Sequence, residues 1–159
     1  MEELFNSYSS LIVFLHVISA VVWVGGMIAI RFAVHYSMQD IQKPEVKLGR
    51  ILDLLKRFFT MVIPTIVVLL ATAIIMAVAL GFRGTDLYSM VILKEVIWTM
   101  MTFVFVMIYI KRNKAQSYFD AKDFKSAKET LAPLAKWMIP LNIVLGIVAI
   151  YLGVTLRGF

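Results

Sequence analysis

Two ionisable side chains lie inside long apolar runs, and they are the residues of this sequence best suited to chemistry. His16 lies in the run 11–32 and Lys94 in the run 88–110. If both runs are helices that cross a membrane in opposite directions, each residue lies roughly 8–9 Å inside the same membrane boundary. An ionisable group in hydrocarbon is costly, so each of them calls for a partner or a ligand.

Large aromatic and sulfur-containing side chains share a helix face with each residue. At 100° per residue, Trp23 and Met27 lie on the side of His16. The side chains on the face of Lys94 are Met90, Trp98, Met101 and Phe105. Imidazole is a common ligand of haem iron, and a neutral lysine amine can also donate a lone pair. The two faces therefore predict a flat slot for haem, with His16 on the iron and Lys94 as a candidate second ligand.

Further residues of the first run also suit a porphyrin. Gly25 and Gly26 leave a dent where a helix or a flat ligand can approach closely. Arg31 and His35 share a face and can bind a porphyrin propionate or a lipid phosphate, or they are ordinary basic residues at the membrane surface. His16 and His35 are about 28 Å apart along one helix, which excludes a haem held by both histidines of one chain.

Three alternatives to a haem site stay open. His16 can hydrogen-bond across helices while Lys94 extends outward or pairs with Glu95. Copper is the second alternative, because Met76 and Met90 are expected near the depth of His16 and thioethers and imidazole suit Cu(I). The ten methionines also suit apolar cores as filler. The third alternative is a non-catalytic membrane subunit that scaffolds a larger complex.

Four apolar runs must position these side chains. The chain has 159 residues, of which 61% are hydrophobic and 16% charged, whereas a soluble domain has about half apolar and a quarter charged residues. The runs 11–32, 58–82, 88–110 and 137–156 are each long enough to cross a hydrocarbon core of about 30 Å. We therefore predict one all-α domain over residues 1–159, an up-down bundle of four membrane helices. The absence of cysteine excludes disulfides and thiolate metal sites.

Basic residues gather on one side of the predicted bundle. The first and third connections contain Arg31, Lys43, Lys47, Arg50, Lys56, Arg57, Lys111, Arg112, Lys114, Lys122, Lys125, Lys128 and Lys136. The other side has only Arg83 and Arg157. Cytoplasmic loops are enriched in Lys and Arg, so the basic side is predicted to be cytoplasmic and both termini to lie outside. The net charge of +6 is thus a topology signal and does not indicate nucleic-acid binding.

The connections carry their own patterns. Pro44 can start a helix, and the apolar stripe that follows it is Val46, Leu48, Ile51, Leu54, Leu55 and Phe58. The third connection, 116–136, intersperses Phe119, Phe124 and Leu131 among charged residues. Both predict short amphipathic helices on the inner membrane surface, with solvated extensions of the spanning helices as the alternative. Two glycines in 81–86 predict a tight turn in the second connection.

The order of these features resembles two related groups of membrane proteins. The first run, with His16, Trp23, Gly26, Met27 and Arg31, is similar to the first helix of the HemJ-type protoporphyrinogen oxidases and of the CopD copper-resistance membrane domain. The resemblance continues in the other helices with Pro64, Lys94, Pro140 and Asn142. Two details differ from HemJ-type proteins. Where they have an aromatic residue, Leu and Pro before the arginine, this chain has Ile-Ala-Ile before Arg31, and where they have an asparagine followed by a proline in the fourth helix, Pro140 here precedes Asn142.

The HemJ resemblance implies a haem-b protein of the bacterial cytoplasmic membrane that oxidises protoporphyrinogen IX to protoporphyrin IX without oxygen. His16 and Lys94 would be its catalytic and haem-binding residues. The other residues expected around the porphyrin are Trp23, Gly26, Met27, Arg31, Trp98 and Met101. The implied partners are membrane lipid, a porphyrin, a quinone or redox protein as electron acceptor, and further copies of the chain. The CopD resemblance implies copper instead, with Met76 and Met90 beside His16.

Overall fold

A computed structural model describes residues 2–81, 85 and 87–157, except for the side chains of Glu2, Leu4, His35 and Arg157. This part of the chain is helical and contains no strand. Its helices are α1 (Glu2–Ala20), α2 (Gly26–Ala29), α3 (His35–Ser37), α4 (Pro44–Ala79), α5 (Tyr88–Asp120), α6 (Phe124–Pro133) and α7 (Ile139–Arg157). Three π-helical segments, Val21–Gly25, Ile30–Val34 and Leu134–Met138, join consecutive α-helices.

These elements form four helices long and apolar enough to cross a membrane. We call Phe5–Val34, Pro44–Ala79, Tyr88–Asp120 and Phe124–Leu156 the first to fourth spanning helices. The prediction of four apolar spanning helices is confirmed. Their outer surface is itself apolar, with Phe103, Tyr151 and Val154 each about two-thirds exposed. Such a surface is suited to lipid and not to water.

The spanning helices contain most of each predicted apolar run and extend beyond it, by up to 14 residues at their starts. α4 starts at Pro44, as predicted, and α5 starts at Tyr88. With 36 and 33 residues, they are about 54 and 50 Å long, well beyond the roughly 30 Å of hydrocarbon. The amphipathic segment predicted as a separate short helix after Pro44 is instead the first part of the second spanning helix, which is the alternative that the pattern had left open.

A capped turn separates α5 from α6. Lys122 has a φ of 61°, and its N–H donates to the Phe119 carbonyl while the N–H of Asp123 donates to Tyr118. This Schellman pattern closes α5. Asp123 then caps α6, because its carboxylate accepts from the Ser126 N–H at 3.0 Å. In the second connection, Gly81 has a φ of 58° and follows the end of α4; residues 82–84 and 86 of the predicted turn lie outside the described residues.

The end of the bundle that carries residues 36–57 and 111–136, here called the basic end, has its own buried polar contact. Arg112 is only 7% exposed. Its Nη2 donates to the Leu52 carbonyl at 2.9 Å and to Gln116 at 2.9 Å. The guanidinium thus joins the second and third spanning helices. In the sequence, Arg112 counts only among the basic residues that indicate the cytoplasmic side, so this structural role was not predicted.

The four helices pack as two pairs. α1 packs along α4, and α5 packs along α7, while the π-helical segment Val21–Gly25 reaches both α4 and α7. Trp23 fills the middle of the bundle with its ring edge-on to Phe105, 5.9 Å between centroids, and Phe105 is edge-on to Phe59 at 5.4 Å. The pairs are therefore joined at mid-height by aromatic rings from three helices.

Candidate functional site

His16 is half-buried on α1 and reaches across to the second spanning helix. Its Nδ1 lies 3.0 Å from the Thr72 hydroxyl on α4. Thr72 is 5% exposed, so this contact is inside the bundle. The Leu69 carbonyl on α4 also interacts with the ring, and no hydrogen bond from a side chain of the described residues to the other ring nitrogen, Nε2, accompanies the Nδ1 contact. The predicted alternative of a cross-helix hydrogen bond therefore occurs, and it engages one of the two nitrogens.

Lys94 is half-buried on α5 and points toward the last helix. Its Nζ lies 3.1 Å from the position that a Cβ on Gly153 would occupy. The amine is also close enough to His16 for the two side chains to interact electrostatically. Among the residues that the structure describes, none forms a hydrogen bond or ion pair with Lys94, and the neighbouring Glu95 is exposed on the outside of the bundle. We call His16, Thr72, Lys94 and Gly153 the His16–Lys94 site.

The aromatic and methionine side chains that share a helix face with His16 or Lys94 pack against one another on the side of this site toward the basic end. Trp23, Met27, Met101 and Phe105 are all buried members of one core. A small apolar cavity beside them, lined in part by Met27, Phe58 and Phe105, has a volume of about 10 Å³, room for one water at most. The side chains predicted to line a flat slot for haem thus form a closed core. Trp98, one turn from Lys94, is half-buried beside the site.

Three buried polar atoms have no hydrogen-bond partner in the described part of the chain: Trp23 Nε1, Trp98 Nε1 and Asn142 Oδ1. Asn142 is fully buried, and its Nδ2 donates to the Met101 carbonyl at 3.2 Å. An unsatisfied buried group costs about 1–3 kcal/mol, so such atoms often mark a place where a ligand or water binds. Trp98 is the one of the three that lies a single turn from Lys94.

The other predicted residues of the first helix lie away from the site. A Cβ on Gly26 would approach the Phe58 ring to 2.5 Å, so the dent at this glycine holds an aromatic side chain of the second spanning helix. Arg31 is half-buried at the basic end, about 22 Å along the helix from His16. The His35 side chain, its predicted companion, lies outside the described part of the chain.

Met76 and Met90 lie close to the site, one turn further from the basic end. Met76 follows Thr72 by four residues on α4, and Met90 precedes Lys94 by four on α5. Both are half-buried. Among the described residues, no group of three or more His, Cys, Asp or Glu side chains could hold a metal ion.

Sequence reasoning missed two members of the site. Thr72 is a polar residue in an apolar run at the depth of His16, and that position could have drawn attention to it. Gly153 gave no such signal, because its role depends on the helix that faces it. Comparison of the chain with protein-family models, curated proteins and solved structures found no match. The fold and site thus define a multi-pass membrane protein with a half-buried histidine–lysine pair.

Proposed function

We propose that this chain is a haem-b-binding membrane oxidoreductase or electron-transfer protein with His16 as an iron ligand. The observation that carries the proposal is the imidazole of His16, anchored through Nδ1 to Thr72 at 3.0 Å, with no side chain of the described residues hydrogen-bonded to its other nitrogen. Histidines that bind metals usually hold a second partner through the nitrogen that does not face the metal. The unpaired amine of Lys94 nearby adds a second donor or a positive charge.

The donor set fits haem better than a bare metal ion. A haem supplies four of its own nitrogens to the iron, so one imidazole, with or without an amine, completes the ligation. When bound, it would supply one-electron redox chemistry. The chain's own residues would orient His16 through Thr72, offer the Lys94 amine as a second donor or as a positive charge for a carboxylate, and exclude water with the core around Trp23 and Phe105.

Some of the residues predicted to contact the porphyrin lie away from His16 and Lys94. Trp98 lies one turn from Lys94, whereas Trp23, Gly26, Met27 and Met101 would contact a porphyrin only if the core around them opens. Arg31 is about four turns from His16, which favours its other predicted role, contact with lipid phosphate.

The resemblance to HemJ-type proteins extends the proposal to a reaction, the oxidation of protoporphyrinogen IX with electrons passed to a quinone or a redox protein. Placing the basic end in the cytoplasm, by the positive-inside rule, puts both termini outside and the site in the outer half of a bacterial inner membrane. The proposal therefore predicts that a porphyrin reaches the site from the outer half of the bilayer.

The test is an ultraviolet–visible spectrum of the chain purified in mild detergent, before and after dithionite, with metal analysis of the same sample. A Soret band that sharpens on reduction, with about one iron per chain, is expected. His16→Ala should lose the haem or hold it weakly, whereas Lys94→Ala should shift the reduced spectrum with less haem loss. His35→Ala is the matched control and should leave the spectrum nearly unchanged. Full haem in His16→Ala with loss in His35→Ala would move the site to the basic end.

Copper is the second candidate, favoured by the position of Met76 and Met90 one turn from Thr72 and Lys94. Thioethers and one imidazole form a ligand set suited to Cu(I). If copper is the native ligand, the purified chain should contain about one copper and show no Soret band, and replacing both methionines should remove the metal. Under the haem proposal the same double replacement only loosens packing.

A further inference from the structure

The direction of the His16–Thr72 hydrogen bond can be read from the other contacts of the hydroxyl. Thr72 Oγ1 lies 2.7 Å from the Val68 carbonyl and 3.0 Å from the Leu69 carbonyl, both one turn back in its own helix. A hydroxyl has one hydrogen, and a carbonyl can only accept. The 2.7 Å contact with Val68 therefore assigns the hydrogen of Thr72 to its own helix, and Oγ1 accepts from the ring of His16, which also interacts with the Leu69 carbonyl.

We infer that Thr72 is a positioning residue that fixes His16 as the tautomer protonated on Nδ1 and leaves the lone pair on Nε2. An oxygen that donates elsewhere can take part in the 3.0 Å contact only as the acceptor, so Nδ1 carries the hydrogen. The inference deepens the proposed function and rests on it: Nε2 becomes the nitrogen offered to the metal.

Two features of Thr72 keep its hydroxyl as the acceptor in the contact with His16. Threonine has a branched, stiff side chain, and in a helix its hydroxyl commonly bonds the carbonyl one turn back. Thr72 is buried in the packing between α1 and α4, so its hydroxyl has little freedom to turn toward the ring as a donor. The neutral histidine side chain in water mainly carries its hydrogen on Nε2, and Thr72 therefore reverses the ordinary preference of the ring.

The partner also sets the strength of the ligand. A carboxylate that accepts from a metal-bound histidine makes the imidazole a stronger donor, whereas a hydroxyl is a neutral and weaker acceptor. Removing the hydroxyl should weaken the orientation of the ring, while keeping it in Thr72→Ser should preserve both orientation and tautomer.

The first experiment needs no bound metal. The chain has two histidines, so a His35→Gln background with ¹⁵N-labelled histidine, purified without ligand and studied by NMR at pH 8, reports His16 alone. A protonated Nδ1 and a pyridine-type Nε2 are expected. Thr72→Val, which keeps the shape without the hydroxyl, should move the hydrogen toward Nε2, and Thr72→Ser should restore the original pattern.

Thr65→Val is the matched control. Thr65 lies in the same helix and its hydroxyl donates to the Val62 carbonyl at 2.8 Å, but within the described residues it contacts no histidine. This change should leave the His16 tautomer as it is. A wild-type ring protonated on Nε2, or a Thr72→Val spectrum equal to that of the wild type, overturns the inference. If Thr72→Val does not fold, the wild-type spectrum still decides.

A second measurement separates this inference from the proposed function. In haem-loaded protein, Thr72→Val should shift the midpoint potential and speed haem loss, and neither Thr65→Val nor Thr72→Ser should do so. If no haem binds while the NMR result holds, the proposed function fails and the tautomer assignment stands. If haem binds and the potential is the same in all variants, the positioning role of Thr72 is wrong.

Discussion

Two glycines of the fourth spanning helix should respond oppositely to the same substitution. A Cβ on Gly153 would meet only the end of the Lys94 side chain, with Nζ at 3.1 Å and Cε at 3.7 Å. A Cβ on Gly146 would meet Val24 Cγ2 at 2.6 Å and Met101 Cε at 3.2 Å. The first neighbour is flexible, whereas Val24 is a stiff, branched side chain in the buried core.

The expected magnitudes follow from these contacts. Overpacking a core costs about 1–3 kcal/mol, and replacing glycine by alanine inside a helix returns about 1 kcal/mol. Gly146→Ala should therefore lower the free energy of unfolding by roughly 0–2 kcal/mol. Gly153→Ala should leave it unchanged or raise it slightly, while it displaces the Lys94 amine.

Thermal unfolding of both variants in the same detergent measures the first effect, and the reduced spectrum of haem-loaded protein measures the second. Gly153→Ala should change the spectrum in the direction of Lys94→Ala, and Gly146→Ala should retain the wild-type spectrum at temperatures where it is folded. The reasoning is refuted if Gly153→Ala destabilises the protein as much as Gly146→Ala, because the neighbour of Gly153 would then be rigid.

Three further changes test the basic end and the topology. Arg112→Met should destabilise the protein by about 1.5–3 kcal/mol in thermal unfolding, since it removes charged hydrogen bonds to Leu52 and Gln116; an unchanged melting temperature would show that the contact is not needed. Lys122→Gly should raise the melting temperature, because a non-glycine residue at a φ of 61° bears a cost of about 1–2 kcal/mol. Reporter fusions after residues 40 and 125 should report the cytoplasm and a fusion at residue 159 the outside, and a cytoplasmic signal at residue 159 would contradict the four-span topology.

The amino-acid sequence alone determined the class of protein and the starts of two helices. A run of about 20 apolar residues has few alternatives to a membrane helix, so the four spanning helices could be predicted without any tertiary contact. Pro44 and Tyr88 were correct starts, because proline suits the first turn of a helix and the apolar run begins at Tyr88. Position along the runs also predicted that His16 and Lys94 share one level of the bundle, and in the structure the two side chains are close enough to interact electrostatically.

Tertiary structure decided what each side chain meets. The sequence places Trp23 and Met27 on the face of His16, but only the packing of α1 against α4 brings Thr72 to the imidazole. Likewise, only the pairing of α5 with α7 sets Gly153 against Lys94 and closes the core around Trp23 and Phe105. Helical periodicity fixes which residues share a face, whereas the partner of that face depends on how all four helices rotate and pack together, and no single run contains that information.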